Sequence, residues 1–134
     1  MRHVFDCRRC GEPAGELTLY APAEPATRSA DRDAADPTAS VVDSGSDRVR
    51  LAMRSGLGDV VFYEFDLKHT LAALAAGDAR ALHAINREMV PFWCPTCHAS
   101  YCASEWNTWD LFDEGFFDER RGRCPKGHER MLLD

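Results

Sequence analysis

Residues 93–98 read Trp-Cys-Pro-Thr-Cys-His, and residues 124–128 read Cys-Pro-Lys-Gly-His. A Cys-x-x-Cys pair serves either thiol redox chemistry or metal binding, and the rest of the chain is organised differently in the two cases. Thioredoxin-like enzymes carry the pair between a strand and a helix, early in a βαβ unit. Here 37 residues follow Cys97, and they hold a further cysteine and a Cys/His pair in place of a βαβ continuation. Another half-site, Cys-Arg-Arg-Cys-Gly, occupies residues 7–11. Three half-sites in one short chain point to metal.

The spacing has a geometric basis. Two residues between cysteines let the backbone turn tightly while both sulfurs stay about 2.3 Å from one Zn²⁺. Gly11, Pro95, Pro125 and Gly127 sit where such turns need them. The candidate ligands are Cys7, Cys10, Cys94, Cys97, Cys102, Cys124 and His128, enough for two Zn²⁺ ions. Over residues 3–20 and 92–132 the sequence resembles the zinc-ribbon group of small metal-binding proteins. It departs from that pattern twice. The first two half-sites are separated by 83 residues, and the last is Cys-x-x-x-His instead of Cys-x-x-Cys.

Two pairings use all seven ligands. In the first, Cys7, Cys10, Cys94 and Cys97 share one metal, while Cys102, Cys124 and His128 take the other with His98. In the second, Cys94, Cys97, Cys124 and His128 form a local site. Cys7, Cys10 and Cys102 then need a fourth donor from His3, His98 or Glu105. That alternation of sites resembles cross-braced RING-type domains. The first pairing is preferred here. Closing an 83-residue loop instead of a 15-residue one costs only about 1.5 kcal/mol more, against roughly 10–16 kcal/mol from structural zinc. Cys102 is equally readable as a small buried apolar residue.

Between the half-sites the chain changes character. From Ala21 to Ser40 there is no Leu, Ile, Val, Met or aromatic residue. Such a run buries too little surface to offset its ordering entropy, so residues 21–47 are expected to be a flexible insertion. Residues 48–91 follow as a hairpin turning at 55–59 and two short helices. Asp66 and Gly77 bracket the first helix, whose Leu67, Leu71 and Leu74 recur at helical spacing. Asp78 caps the second, which carries Leu82, Ile85 and Met89 and ends at Pro91. His69 and His83 lie on these helices without a ligand-spaced partner. The expected fold is therefore α+β: one domain over 1–134, a small zinc-ribbon-like metal core with an inserted β-hairpin and two short helices.

Charge and composition narrow the function. The net charge of −6 opposes nucleic-acid binding, which needs clustered cations to displace counterions. Arg120, Arg121, Arg123, Lys126 and Arg130 form a local basic run, read as a solvated face neutralised by neighbouring acids. Trp106, Trp109, Phe112, Phe116 and Phe117 interleave with acidic residues. Most of these aromatics are expected to cover the metal sites, the surplus marking a docking surface for a positively charged protein partner. No apolar run approaches the ~20 residues of a membrane span, and with no signal-peptide pattern at the N-terminus a cytoplasmic location is the expectation. No phosphate-cradling loop, His-Glu-x-x-His helix or Gly-x-Ser-x-Gly turn indicates catalysis. The expectation is a non-enzymatic interaction or adaptor module with structural zinc. A RING-like or treble-clef recruiting domain working with an enzyme partner is the alternative, followed by a nucleic-acid-binding ribbon.

Overall fold

Alternating apolar residues at Leu51 and Met53 belong to a strand, and the computed structural model, which describes residues 1–21 and 49–134, builds a four-stranded antiparallel sheet around it. The strands lie in the order β1 (Arg2–Asp6), β2 (Pro13–Tyr20), β3 (Arg50–Ser55) and β4 (Gly58–Phe62). Leu17 faces Met53 and Leu19 faces Leu51 across β2 and β3. Leu17, Leu51 and Met53 have 0% exposure, each contributing about 1.5–3 kcal/mol by leaving water. The expected hairpin is β3–β4. The Ser55 hydroxyl holds its turn, accepting from the Leu57 N–H (3.1 Å) and donating to the Gly58 carbonyl (3.0 Å). The insertion expected at 21–47 lies outside the described residues, apart from Ala21.

Helix α1 (Leu67–Ala76) starts and stops where its cap chemistry requires. The Asp66 carboxylate accepts the His69 N–H at 3.1 Å. Gly77 at φ 64° closes the other end, and the next N–H, of Asp78, reaches the Ala73 carbonyl at 2.9 Å. The buried stripe is Thr70, Ala73 and Leu74. Leu67 and Leu71 stay about 40% exposed, so the leucine spacing located the helix but not its inward face. The following helix is shorter than expected. Helix α2 (Ala79–Ile85) ends before Asn86, which turns extended and caps a separate 3₁₀ turn at Arg87–Met89 by accepting the Glu88 N–H at 3.0 Å. A short amide side chain that bonds its neighbouring backbone competes with helix continuation. Met89 remains fully buried on that turn.

The C-terminal part consists of a two-residue ladder, β5 (Trp93–Cys94) with β6 (Ala99–Ser100), and a three-stranded antiparallel sheet. That sheet runs β7 (Asn107–Asp113), β8 (Phe116–Arg123), β9 (Glu129–Leu133). Mixed helices and antiparallel sheets make the fold α+β, as expected. One cluster of buried residues passes from Phe5 through Leu17, Leu74, Leu82 and Phe92 to Leu132, joining both ends of the chain. Phe92 packs directly over Gly15, where an added Cβ would approach the ring to 2.3 Å. Among the described residues no helix is long and apolar enough to cross a membrane.

Candidate metal centres

Each cysteine half-site is a backbone turn, and the three share one kind of hydrogen bond. The N–H groups of Gly11, His98 and Gly127 donate to the carbonyls of Cys7, Cys94 and Cys124 at 2.9, 2.8 and 2.8 Å. All three donors have left-handed backbone, with φ of 76°, 54° and 88°. Glycine takes that conformation freely, and histidine is among the side chains that tolerate it best. His98 is thus a turn residue, and its ring stacks on Trp93 with centroids 5.8 Å apart.

These turns, together with Cys102, assemble two groups, one of Cys94, Cys97, Cys124 and His128, the other of Cys7, Cys10 and Cys102. In the first group the Cys97 and Cys124 sulfurs are 3.7 Å apart. His128 Nδ1 lies 3.7, 3.2 and 3.4 Å from the sulfurs of Cys94, Cys97 and Cys124. Tetrahedral ligands at zinc–ligand bond lengths would be separated by about 3.8 Å for S···S and about 3.6 Å for S···N. In the second group Cys10 and Cys102 sulfurs are 3.6 Å apart. All six cysteines are free thiols, and these separations are well beyond a disulfide bond of about 2.05 Å.

The grouping overturns the preferred pairing and matches the second. Cys7 and Cys10 meet Cys102, not Cys94 and Cys97. The reason lies in the fold: the β5–β6 turn is presented to the β8–β9 turn, whereas Cys102, one residue beyond Tyr101 in the following segment, meets the Cys7–Cys10 turn. Arg8 N–H to the Ser100 carbonyl, at 2.8 Å, pins the first turn there. Along the chain the two groups therefore interleave. Cys102, equally readable as core, stands among the potential ligands.

The other candidates for a fourth donor are engaged elsewhere. His3 packs against Gly77 and Phe5, with ring centroids 4.5 Å apart for the latter. Glu105 sits 3.4 Å from the Arg9 guanidinium. His69 pairs with Asp66 at 2.6 Å, and His83 packs on Trp93.

The thiols of each group differ in how readily they ionise. Burial opposes ionisation of Cys7, but N–H groups of Cys10, Cys102 and Arg9 outweigh it and hold that thiol down at about 7. Cys124 is lowered in the same way, with N–H groups of His128 and Lys126 overcoming burial. Burial pushes Cys94 up to about 11. For Cys10 the Glu12 N–H favours the thiolate, yet the Cys102 and Cys7 thiols together drive it up to about 11. Each group thus pairs a readily ionised thiol with a reluctant one. Full ionisation of such a set calls for a bound cation, since coordinated thiols are deprotonated outright.

Arg130, expected on the solvated basic face, is instead buried (7% exposed). Its guanidinium donates to the carbonyls of Val90 (2.9 Å), Trp93 (2.6 Å), Arg87 (3.0 Å) and Met131 (2.7 Å), tying β9 to the approach of the Cys94 turn. Burial lowers its pKa to about 10, partly countered by the nearby Cys94. The other arginines of the run are neutralised as expected: Arg120 by Asp110, Arg121 by Glu119 and Glu129, and Arg123 by Glu129.

Of the aromatic series, Trp106 is buried and donates its indole N–H to the Tyr101 carbonyl at 3.1 Å. Trp109 is half-buried, with the Arg123 guanidinium 5.3 Å over its ring, and the three phenylalanines cover nothing. Phe112, Phe116 and Phe117 stand 65%, 77% and 49% exposed on the β7–β8 hairpin. Glu114 and Gly115, at φ 51° and 85°, form the tight turn at its tip. The sequence signal was the excess of aromatics over what a small core can hold.

Fold and side chains together define a small α+β protein with two groups of Cys/His side chains positioned to bind a metal ion. The chain belongs to the family described as domain of unknown function DUF8328, whose model matches residues 1–134. Comparison with curated proteins and with solved structures returned no match.

Proposed function

We propose that this protein is a cytoplasmic zinc-dependent interaction module, in which Zn²⁺ in the two groups holds the fold and the β7–β8 hairpin engages a protein partner. Zinc is favoured by the donor set: thiolates with one imidazole, spaced like the edges of a tetrahedron. Turns at the end of two antiparallel hairpins, facing each other across a metal, are the feature that favours a zinc-ribbon-like core.

The observation that carries the partner reading is the hairpin tip. Residues 110–118 are all exposed, although they form a regular hairpin containing Leu111, Phe112, Phe116 and Phe117. Monomeric proteins rarely leave several large apolar side chains together in water without a use for them. Asp113, Glu114 and Asp118 surround them, which selects a partner carrying Lys and Arg around an apolar pocket. The nucleic-acid reading loses support because Arg120, Arg121 and Arg123 are paired and Arg130 is buried. Interleaving of the two ligand groups favours a cross-braced, RING-like recruiting domain as the second reading.

The test is metal analysis combined with affinity capture. Protein purified under reducing, chelator-free conditions should hold close to two Zn²⁺ per chain. Double substitution of Phe112→Thr and Phe116→Thr should leave that content unchanged while removing a basic protein that the wild type captures. Zinc near zero, or identical capture by both proteins, refutes the proposal.

A further inference from the structure

Two metal groups of unequal completeness share this fold. The Cys94 group supplies four donors, whereas Cys7, Cys10 and Cys102 supply three, with no fourth His, Cys, Asp or Glu among the described residues inside the same cluster. We propose that the metal held by Cys7, Cys10 and Cys102 takes an exchangeable fourth ligand from outside the chain, a monodentate thiol by preference. This rests on the reading that both groups hold a metal ion.

Three observations support it. The side chains suited by sequence to close the site are all committed to other contacts. His3 lies against Gly77, His98 is stacked on Trp93, and the Glu105 carboxylate is 3.4 Å from the Arg9 guanidinium. Exposure is graded across the triad, with Cys7 buried, Cys102 half-buried and Cys10 exposed, so its outer corner faces solvent. In the Cys94 group both Cys94 and Cys124 are buried and His128 completes the tetrahedron. Finally, Arg9 sits inside the Cys7–Cys10 turn. With Arg8 beside it in the same turn and Glu105 paired to Arg9, one positive charge is left to offset a three-thiolate, divalent-metal unit. A metal already bound by soft sulfur favours another soft donor, and four-coordinate zinc with three protein ligands keeps its last position for an external molecule.

Glu105 then has a defined place. It follows Cys102 by three residues on the 3₁₀ turn Ala103–Glu105, yet it stands outside the cluster of three sulfurs. Arg9 holds it as an ion pair instead.

Cobalt(II) tests this in the full chain, because its visible absorption reports each change of ligand. The protein is loaded with Co²⁺, kept reduced with a phosphine, and titrated with 2-mercaptoethanol. The expected result is two Co²⁺ per chain, with the bands of one ion shifting to saturation and those of the other unchanged. Glu105→Gln should preserve the shift, and Cys102→Ser should remove it along with one Co²⁺. Two bound Co²⁺ with no thiol-dependent change in the wild type overturns the inference while leaving the metal reading intact. Glu105→Gln spectra that differ from wild type before thiol is added would assign Glu105 as the fourth ligand, which also overturns it. A single Co²⁺ per wild-type chain refutes the two-metal reading and this inference with it.

Discussion

Arg130→Met removes a buried cation that fastens the last strand to the segment entering the Cys94 turn. Three of its hydrogen bonds cross about 40 residues of sequence, to the carbonyls of Arg87, Val90 and Trp93. Hydrogen bonds from a charged donor contribute about 1.5–3 kcal/mol each. The low end applies here, because the Val90 carbonyl also accepts the Trp93 N–H and the Arg87 carbonyl the Val90 N–H. Burial works in the other direction, and its cost is visible in a guanidinium pKa lowered to about 10. Methionine fills much of the volume without the charge, so the expected loss is about 2–4 kcal/mol. That is a large share of the ~5–15 kcal/mol that stabilises a domain of this kind. Urea unfolding of the zinc-loaded protein, followed by tryptophan emission, measures it. Arg130→Lys should fall between, since one ammonium cannot fork across three carbonyls. An Arg130→Met protein as stable as wild type, or more so, would refute the clamp and show the buried charge to be a net liability.

Cys7→Ser should lower zinc content from two ions to one while tryptophan emission stays native, because the Cys94 group keeps all its donors; loss of both metals would contradict the grouping. Cys124→Ser should instead disorder the C-terminal sheet, seen as red-shifted tryptophan emission. Gly15→Ala forces a methyl group into the Phe92 ring and should cost about 1–3 kcal/mol, measured by the same unfolding assay. Mild acidification should release metal, since bound thiolates must take up protons as pH falls. The exposed Cys10 group should empty before the Cys94 group when chelator competition is followed by a colorimetric zinc indicator.

What could be read from the sequence was local. Asp66 and Gly77 delimit α1 because capping is settled within one turn of the backbone. The half-sites at Cys7, Cys94 and Cys124 were legible because a metal turn is a property of five consecutive residues. Long-range choices were not. Nothing in Val4 or Leu17 announces that β1 and β2 join the β3–β4 hairpin in one sheet. Nor does cysteine spacing decide which half-sites meet, since loop length changes closure cost by only about 1 kcal/mol. In sequence Arg130 looks like its basic neighbours; only the carbonyls converging on it make its position an interior one. The aromatic hairpin was half legible, as an excess whose exposed members composition does not identify.

The interleaved ligand order also sets a timetable. During synthesis Cys7 and Cys10 emerge first, yet their partner lies 92 residues beyond Cys10, a wait of about 5–20 s at ordinary elongation rates. Cys97 and Cys124 are only 27 apart, so their group closes a shorter loop at about 1 kcal/mol less entropic cost. The earliest thiols made therefore wait longest for a partner, although their group is complete at Cys102, before Cys124 and His128 emerge. Until then they stand as an uncommitted pair, open to metal exchange and oxidation, and the Cys7–Cys10 turn docks only once the segment holding Ser100 and Cys102 has been made.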